Sequence, residues 1–284
     1  MSLAQIAPVR VAQGSFADDW RAVKVVWKRE LLRFSRNKPR IVTSLAQPIL
    51  FLLVLGTGLS SLVPRGSGFD FRTFMFPGVI AMTILFTAIF SAVSIVWDRE
   101  FGFLREMLVA PSRRWAIMAG KAAGGSTVAT MQGVIILALA GVVHVPYSPL
   151  LMLTLLGEMA LVAFMLTALG LMLASRIKQV ESFQVVMQLF VLPMFFLAGA
   201  IFPLTGLPFW LSALTKIDPL AYAITPMRNA VFAHVTIPPD VAAQLNTGVT
   251  WDGWRLPGSL ALAIVGVVGL TLLGIAIVRF SKTE

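Results

Sequence analysis

Cysteine is absent from this chain and histidine occurs only twice, at His144 and His234. Neither a disulfide framework nor a thiolate metal site can be built from such a sequence, and metal chemistry is a poor reading of it. Charge is scarce as well. Asp, Glu, Lys and Arg make up 13% of the 284 residues while hydrophobic residues make up 57%, and the mean hydropathy is +0.85. Those values lie outside the range of soluble globular domains and place the chain in a bilayer. Acids are the rarer sign, 13 against 23 basic residues, for a formal net charge of +10. Nucleic acid is one explanation of that excess, but in so apolar a chain basic residues held on the cytoplasmic side of a membrane explain it better.

A phosphate-cradling glycine loop is also missing. The closest string, Gly120-Lys121-Ala122-Ala123, lacks the upstream glycine spacing and the hydroxyl after lysine. No cofactor is therefore expected in this chain, and any ATP-driven work requires ATP and Mg bound by a partner ATPase. A secretory signal is not expected in the first forty residues, because the first hydrophobic stretch begins near Ile41 behind a segment dense in Lys and Arg.

What is present is a series of long apolar windows. A bilayer core of roughly 30 Å needs about 20 apolar residues per helix, and six windows qualify: 41–62, 74–97, 126–144, 150–174, 184–202 and 257–278. The expected fold is all-α and integral to the membrane, with residues 1–40 as a cytoplasmic N-terminus and 41–284 as one six-helix domain. An even number of spans puts both termini on one side. With the N-terminus inside, 18 basic residues fall on the cytoplasmic side and five (Arg65, Arg72, Lys216, Arg228, Arg255) fall outside or near the outer interface. That asymmetry sets the orientation. Trp20, Val23, Trp27, Leu31 and Phe34 recur at helical steps before Asn37-Lys38-Pro39, which predicts an N-terminal amphipathic helix in the headgroup plane, serving as an anchor or as a grip on an ATPase.

The inner loop between the second and third windows, residues 98–114, alternates charged and apolar side chains up to Pro111. It can form a short helix with one greasy face that docks into a groove of another protein, or a solvated loop. A second unusual stretch runs from Phe196-Leu197-Ala198-Gly199-Ala200-Ile201-Phe202-Pro203-Leu204 through Leu207-Pro208-Phe209-Trp210-Leu211 to Asp218-Pro219-Leu220-Ala221-Tyr222-Ala223. Its prolines and Gly206 cut the apolar run into pieces too short to span. Irregular backbone at membrane depth must be shielded by protein or line a wet cavity. Trp210 and Tyr222 suit an interfacial belt.

Both stretches resemble the type-2 ABC exporter permeases, the group that contains the daunorubicin-resistance and nodulation-factor export permeases. The likeness of the 98–111 string, with Glu100, Gly102, Glu106 and its Leu-Val-Ala-Pro ending, implies a coupling helix seated in a cleft of the nucleotide-binding subunit. It makes Glu100, Gly102, Leu104, Arg105 and Glu106 candidate coupling residues. The later likeness implies two short re-entrant helices (203–232) and an outer loop (233–256) before the last span. The family further implies two ATPase copies, a second permease copy or homologue, and a substrate path at the dimer axis.

Polar groups add candidates for that path or its gate: Gln47, Glu158, Gln184 and Gln188 inside the windows, and Arg228 near the outer face. A carboxylate at the position of Glu158 costs at least ~2.5 kcal/mol on insertion, so it must be neutral, paired or facing a wet interior, and a structural hydrogen bond explains it as well as a functional role does. Arg228 has three readings: snorkelling, anchoring the re-entrant segment, or meeting an anionic substrate. Gly120 and Gly124 have a GxxxG spacing that favours packing within the subunit. A secondary transporter wants several buried acids and inverted repeats. A membrane enzyme wants a cluster of nucleophiles or acids, and neither pattern is present in the sequence. The substrate class suggested by the apolar lining is an amphipathic drug, lipid, glycolipid or polyketide. The orientation has a direct check: a phosphatase reporter fused after Glu284 should be inactive and a fluorescent protein there bright, with the reverse overturning the inside assignment.

Overall fold

The computed structural model describes residues 15–61, 70–102, 113–238, 245, 248–251 and 253–283. Helix α1 (Phe16–Arg36) opens on a capping box in which Ser15 and Asp18 satisfy each other's backbone amides. At Asn37 the chain turns; its side-chain oxygen accepts from the Arg40 amide and starts α2 (Lys38–Leu50). Pro48 removes a hydrogen-bond donor inside α2, and the helix goes on as a wide π-turn (Phe51–Leu55) before α3 (Gly56–Ser60). Helices α4 (Phe71–Ser91) and α5 (Val93–Glu100) meet at Ala92. Then follow α6 (Arg114–Leu137), α7 (Pro149–Ala174), α8 (Val180–Leu197), α9 (Phe209–Ile217), α10 (Pro219–Phe232) and α11 (Gly258–Thr283). A two-stranded ribbon pairs β1 (Thr250–Trp251) with β2 (Trp254–Arg255) ahead of α11.

Among the described residues five helical stretches are long and apolar enough to cross a membrane: Lys38–Ser60, Phe71–Glu100, Pro149–Ala174, Val180–Leu197 and Gly258–Lys282. α6 is not one of them, because its middle is built of Gly, Ala, Ser and Thr and it contains Lys121. The window read from sequence for this segment, 126–144, starts twelve residues after α6 does. Lys121 misplaced it: a charge marks the edge of an apolar window, but here the ammonium is buried against carboxylates inside the helix bundle. At the other end α6 stops at Leu137, and a 3-10 turn (Ala140–Val143) leads into His144 at φ 60°.

Helix α4 carries apolar side chains round nearly its whole circumference, and most of its residues are buried, with Phe71, Phe86 and Phe90 half-buried. A helix of that composition has to lie in the middle. It packs against α2, α3, α6, α7, α8 and α10. α2, α8 and α11 keep most of their apolar surface on the outside.

At the end away from Glu100, short-range polar contacts fix the loops. Asp70 caps α4, accepts from Ser60 at 2.8 Å and pairs with Arg72 at 2.7 Å. Burial pushes its carboxyl up, but the hydrogen bonds from Arg72 and Ser60 outweigh this and hold it at about 2. Arg228 does not snorkel. It is buried on α10, lies 4.1 Å over the Phe74 ring and donates to the Gly199 carbonyl at 2.6 Å, so it anchors the loop after α8. Tyr222 departs from its expected belt position too: it is buried, donates to the Lys216 carbonyl at 2.8 Å and accepts from Trp251 at 3.2 Å. Trp210 is exposed.

Gly78 of α4 permits the closest of these approaches. A Cβ there would strike the Ala200 carbonyl oxygen and lie 2.7 Å from its Cα, contacts that backbone cannot easily relieve. Gly78→Ala should therefore destabilise the purified protein by about 1–3 kcal/mol. Gly58→Ala, where nothing lies within 4 Å, should leave thermal unfolding unchanged or slightly raised.

Candidate functional site

Asp98, Arg99 and Glu100 are consecutive at the end of α5, yet each reaches a different helix. Consecutive helical side chains point about 100° apart, so three in a row cover most of the circumference. Asp98 accepts from Lys121 Nζ of α6 at 2.7 Å and from Arg29 of α1 at 3.0 Å. Arg99 donates to the carbonyls of Ala174, Ser175 and Ile177, at 3.3, 3.4 and 2.8 Å, and so caps the C-terminal end of α7. Glu100 accepts from the Val180 amide at 2.9 Å, placing a carboxylate at the N-terminus of α8. One short helix is thereby bonded to α1, α6, α7 and α8.

Lys121 is the centre of this junction. Its ammonium has three donors, and Asp98, Glu30 (3.2 Å) and Ser94 (2.9 Å) supply three acceptors. Lys121 is 3% and Asp98 2% exposed, so neither charge has water to fall back on. α1 delivers Glu30 by lying directly on α6. A Cβ on Gly120 would stand 2.7 Å from Val26, and one on Gly124 would stand 2.6 Å from Glu30, so the GxxxG spacing is the seat of α1. Arg113 ties the start of α6 to the same helix, its amide donating to the buried Asp19 at 2.9 Å.

The face that α1 turns inward is thus Asp19, Val23, Val26 and Glu30. Of the stripe read from sequence, Val23 is buried but Trp20 and Trp27 are 52% and 39% exposed, Trp27 donating to Thr127 at 3.1 Å. Acids at positions 19 and 30 look like a solvated face until their partners on α6 are known.

Of the expected coupling residues, Glu100 and Gly102 are described, whereas Leu104, Arg105 and Glu106 lie outside the described residues. Gly102 has φ +79° and open space where a Cβ would stand, a left-handed turn that glycine enters without strain.

Beside the junction lie two adjoining cavities of about 360 and 430 Å³, sharing Gln47, Phe86, Phe90 and Gln184 in their walls. Gln188 lines the second. Three of the residues proposed for a path, Gln47, Gln184 and Gln188, therefore face one space between α2, α4 and α8. Glu158 and Arg228 line neither cavity. Glu158 is buried within α7 with one carboxyl oxygen lacking a hydrogen-bond partner among the described residues, and Arg228 serves the Gly199 loop. Sequence reading missed Lys121, Asp98 and Glu30 as a unit, and also Gln132, which accepts from Thr87 on α4 and donates to Ser44 on α2. Their signal was present as isolated charged or amide residues inside apolar segments.

Comparison with known proteins fits this architecture. The ABC-2 type transporter family matches residues 21–232. The chain is 28% identical over 220 residues to nodulation protein J of Rhizobium leguminosarum bv. viciae, covering 76% of this chain and 81% of that protein. It is 26% identical over 224 residues to the inner membrane transport permease YadH of Escherichia coli K12, covering 77% and 86%. A probable multidrug ABC transporter permease, YbhR of the same strain, is 31% identical over 155 residues, covering 54% of this chain and 42% of that one. These matches bear out the family resemblance, and the chain belongs to the ABC-2 type transporter family as a multi-pass membrane permease subunit that partners an ABC ATPase.

Proposed function

We propose that this chain is the permease half of an ATP-driven exporter of the bacterial cytoplasmic membrane, moving an amphipathic drug, lipid, glycolipid or polyketide-like substrate outward from the cytoplasm or inner leaflet. In this reading α6 is the third of six spans. Its charge is neutralised within the bundle, and its 24 residues cover about 36 Å, enough to cross the core. Both termini and the Asp98–Glu100 junction then lie on the cytoplasmic side, and α9 and α10 are re-entrant. α10, at 14 residues or about 21 Å, is too short to span.

The observation that carries the reading is the junction. It is placed where the 98–114 loop leaves the membrane domain, and its three side chains grip four helices. A push on that loop by two ATPase subunits, which hold the ATP and Mg, would reach the whole bundle as a rigid-body movement. Glu100 and Gly102 are the described members of the coupling set, and Leu104, Arg105 and Glu106 complete it by family likeness. The chain supplies no catalytic residue of its own. Gln47, Gln184 and Gln188 are exposed on membrane helices, a position costly in lipid. Covering them with a second permease copy, or a homologue, puts the path at the dimer axis. Glu158 and Arg228 keep supporting roles. The mixed apolar and amide wall of the cavities and the multidrug designation of one relative support amphipathic cargo.

Co-expression with an ABC ATPase tests this. The wild-type chain should co-purify with the ATPase and confer ATP-dependent export. Glu100→Gln and Gly102→Ala should still co-purify but lower export by roughly two- to thirtyfold, the span of typical coupling energies. Lys121→Gln should instead lower the unfolding stability by about 3–5 kcal/mol, because it leaves buried carboxylates unpaired. Transport by the chain alone, driven by an ion gradient, would overturn the exporter reading.

A further inference from the structure

Two guanidinium groups in the wall of the 360 Å³ cavity have no ion-pair partner among the described residues. Arg33 and Arg40 stand on either side of the Asn37 corner, and all three residues line the space. Glu30 is in the same wall but is committed to Lys121, and Asp98 is shared between Lys121 and Arg29. The cavity wall and the Lys121 cluster beside it therefore hold four cations, Arg29, Arg33, Arg40 and Lys121, and two carboxylates, Glu30 and Asp98. Arg33 lies 4.7 Å over the Trp97 ring, and its Nη1 is buried without an acceptor among the described residues. Arg40 gives one hydrogen bond, to the Phe90 carbonyl at 3.3 Å. A buried cationic donor without an acceptor is unfavourable, and an anion seated between the two arginines removes the penalty.

Away from the arginines the wall carries no charge and mixes amides, Gln47, Gln132 and Gln184, with apolar side chains. Pro48, Phe86, Phe90 and Val128 line its deeper part, and the neighbouring cavity adds Val191 and Leu192. From Trp97 to Phe86 is roughly 16 Å of helix, about half of a ~30 Å bilayer core. The space thus has a cationic end at the level of α1 and an uncharged end, part apolar and part amide, about one leaflet deep.

We propose that this cavity binds a single-leaflet amphiphile with an acidic head group, phosphate or carboxylate, the head held by Arg33, Arg40 and Asn37 and the tail laid along Phe86 and Phe90. A bare anion would leave the deeper wall empty. A neutral amphiphile would leave both guanidiniums unmatched. The inference rests on the reading of the chain as a membrane permease. The same chemistry belongs to a resident lipid and to an acidic cargo.

Fluorescent lysophosphatidylglycerol, its lysophosphatidylcholine counterpart and inorganic phosphate are titrated into the detergent-purified full chain bound to its ATPase. Wild type should prefer the anionic lysolipid to the choline lipid by about tenfold or more, with phosphate a weak competitor. Arg33→Gln with Arg40→Gln should abolish that preference while ATPase association persists, and Arg40→Lys should retain most of it. Equal binding of the two lysolipids by wild type needs no variant and overturns the proposal. So does an unchanged preference in a folded double variant, or phosphate binding as tightly as the lysolipid. After reconstitution into liposomes, ATP-dependent transfer of bound probe to the opposite leaflet identifies cargo, and retention identifies a resident lipid; the site stands in both cases. Failure of the chain to bind any ATPase, with the lysolipid preference intact, would count against the exporter reading and not against this site.

Discussion

The ammonium of Lys121, held between Asp98 and Glu30 with Ser94 as its third acceptor, is the constraint around which one end of this bundle is arranged. A lysine buried in an apolar helix bundle is tolerated only if its charge is met by fixed partners, and those partners come from two other segments of chain. Satisfying Lys121 therefore requires α1 to lie along α6 and α5 to end where it does. Buried ion pairs of this kind contribute modestly to net stability, since desolvation offsets attraction, but losing one member is heavily penalised. The result is register: sliding α1 by one turn along Gly120 and Gly124 would strand Glu30 and Lys121 together.

Much of the architecture could be read from sequence because it follows from apolar run length alone. The windows for the first, second, fourth, fifth and last spans overlap the helices found. The third failed at its boundaries for a physical reason: Lys121 and the small residues around it dilute the hydropathy of a helix that packing buries deeply. Tertiary partners also give α1 a second, inward face that carries two acids, Asp19 and Glu30, beside the exposed tryptophans read from its sequence. In both cases one helix holds the charge and another holds its complement. No local pattern can reveal that.

The cavity shows the same division. Gln47, Gln184 and Gln188 were candidates because an amide at membrane depth needs a reason, and the fold gathers them in one space. Glu158 was singled out on the same ground, but its helix faces it elsewhere. Span membership was legible and helical phase was not: α7 is apolar nearly all round, so its sequence gives no direction in which to point an acid. Arg228 illustrates the reverse situation. Its position was evident, but its role depended on Gly199, a glycine at φ +70° nearly thirty residues earlier whose carbonyl it meets.

The first membrane helix contains one irregularity with a mechanical meaning. Below Pro48 it is ordinary α-helix, and over Phe51–Leu55 it widens into a π-turn before resuming at Gly56. Leu52 within the wide turn and Gly56 after it are both buried, and Gly56 lies against the Arg72 side chain. Tightening that turn to a regular one would rotate everything beyond it by about 100° relative to the half that lines the cavity. The helix thus carries one residue of slack, and its two halves can change their mutual twist without either losing its own hydrogen-bond ladder.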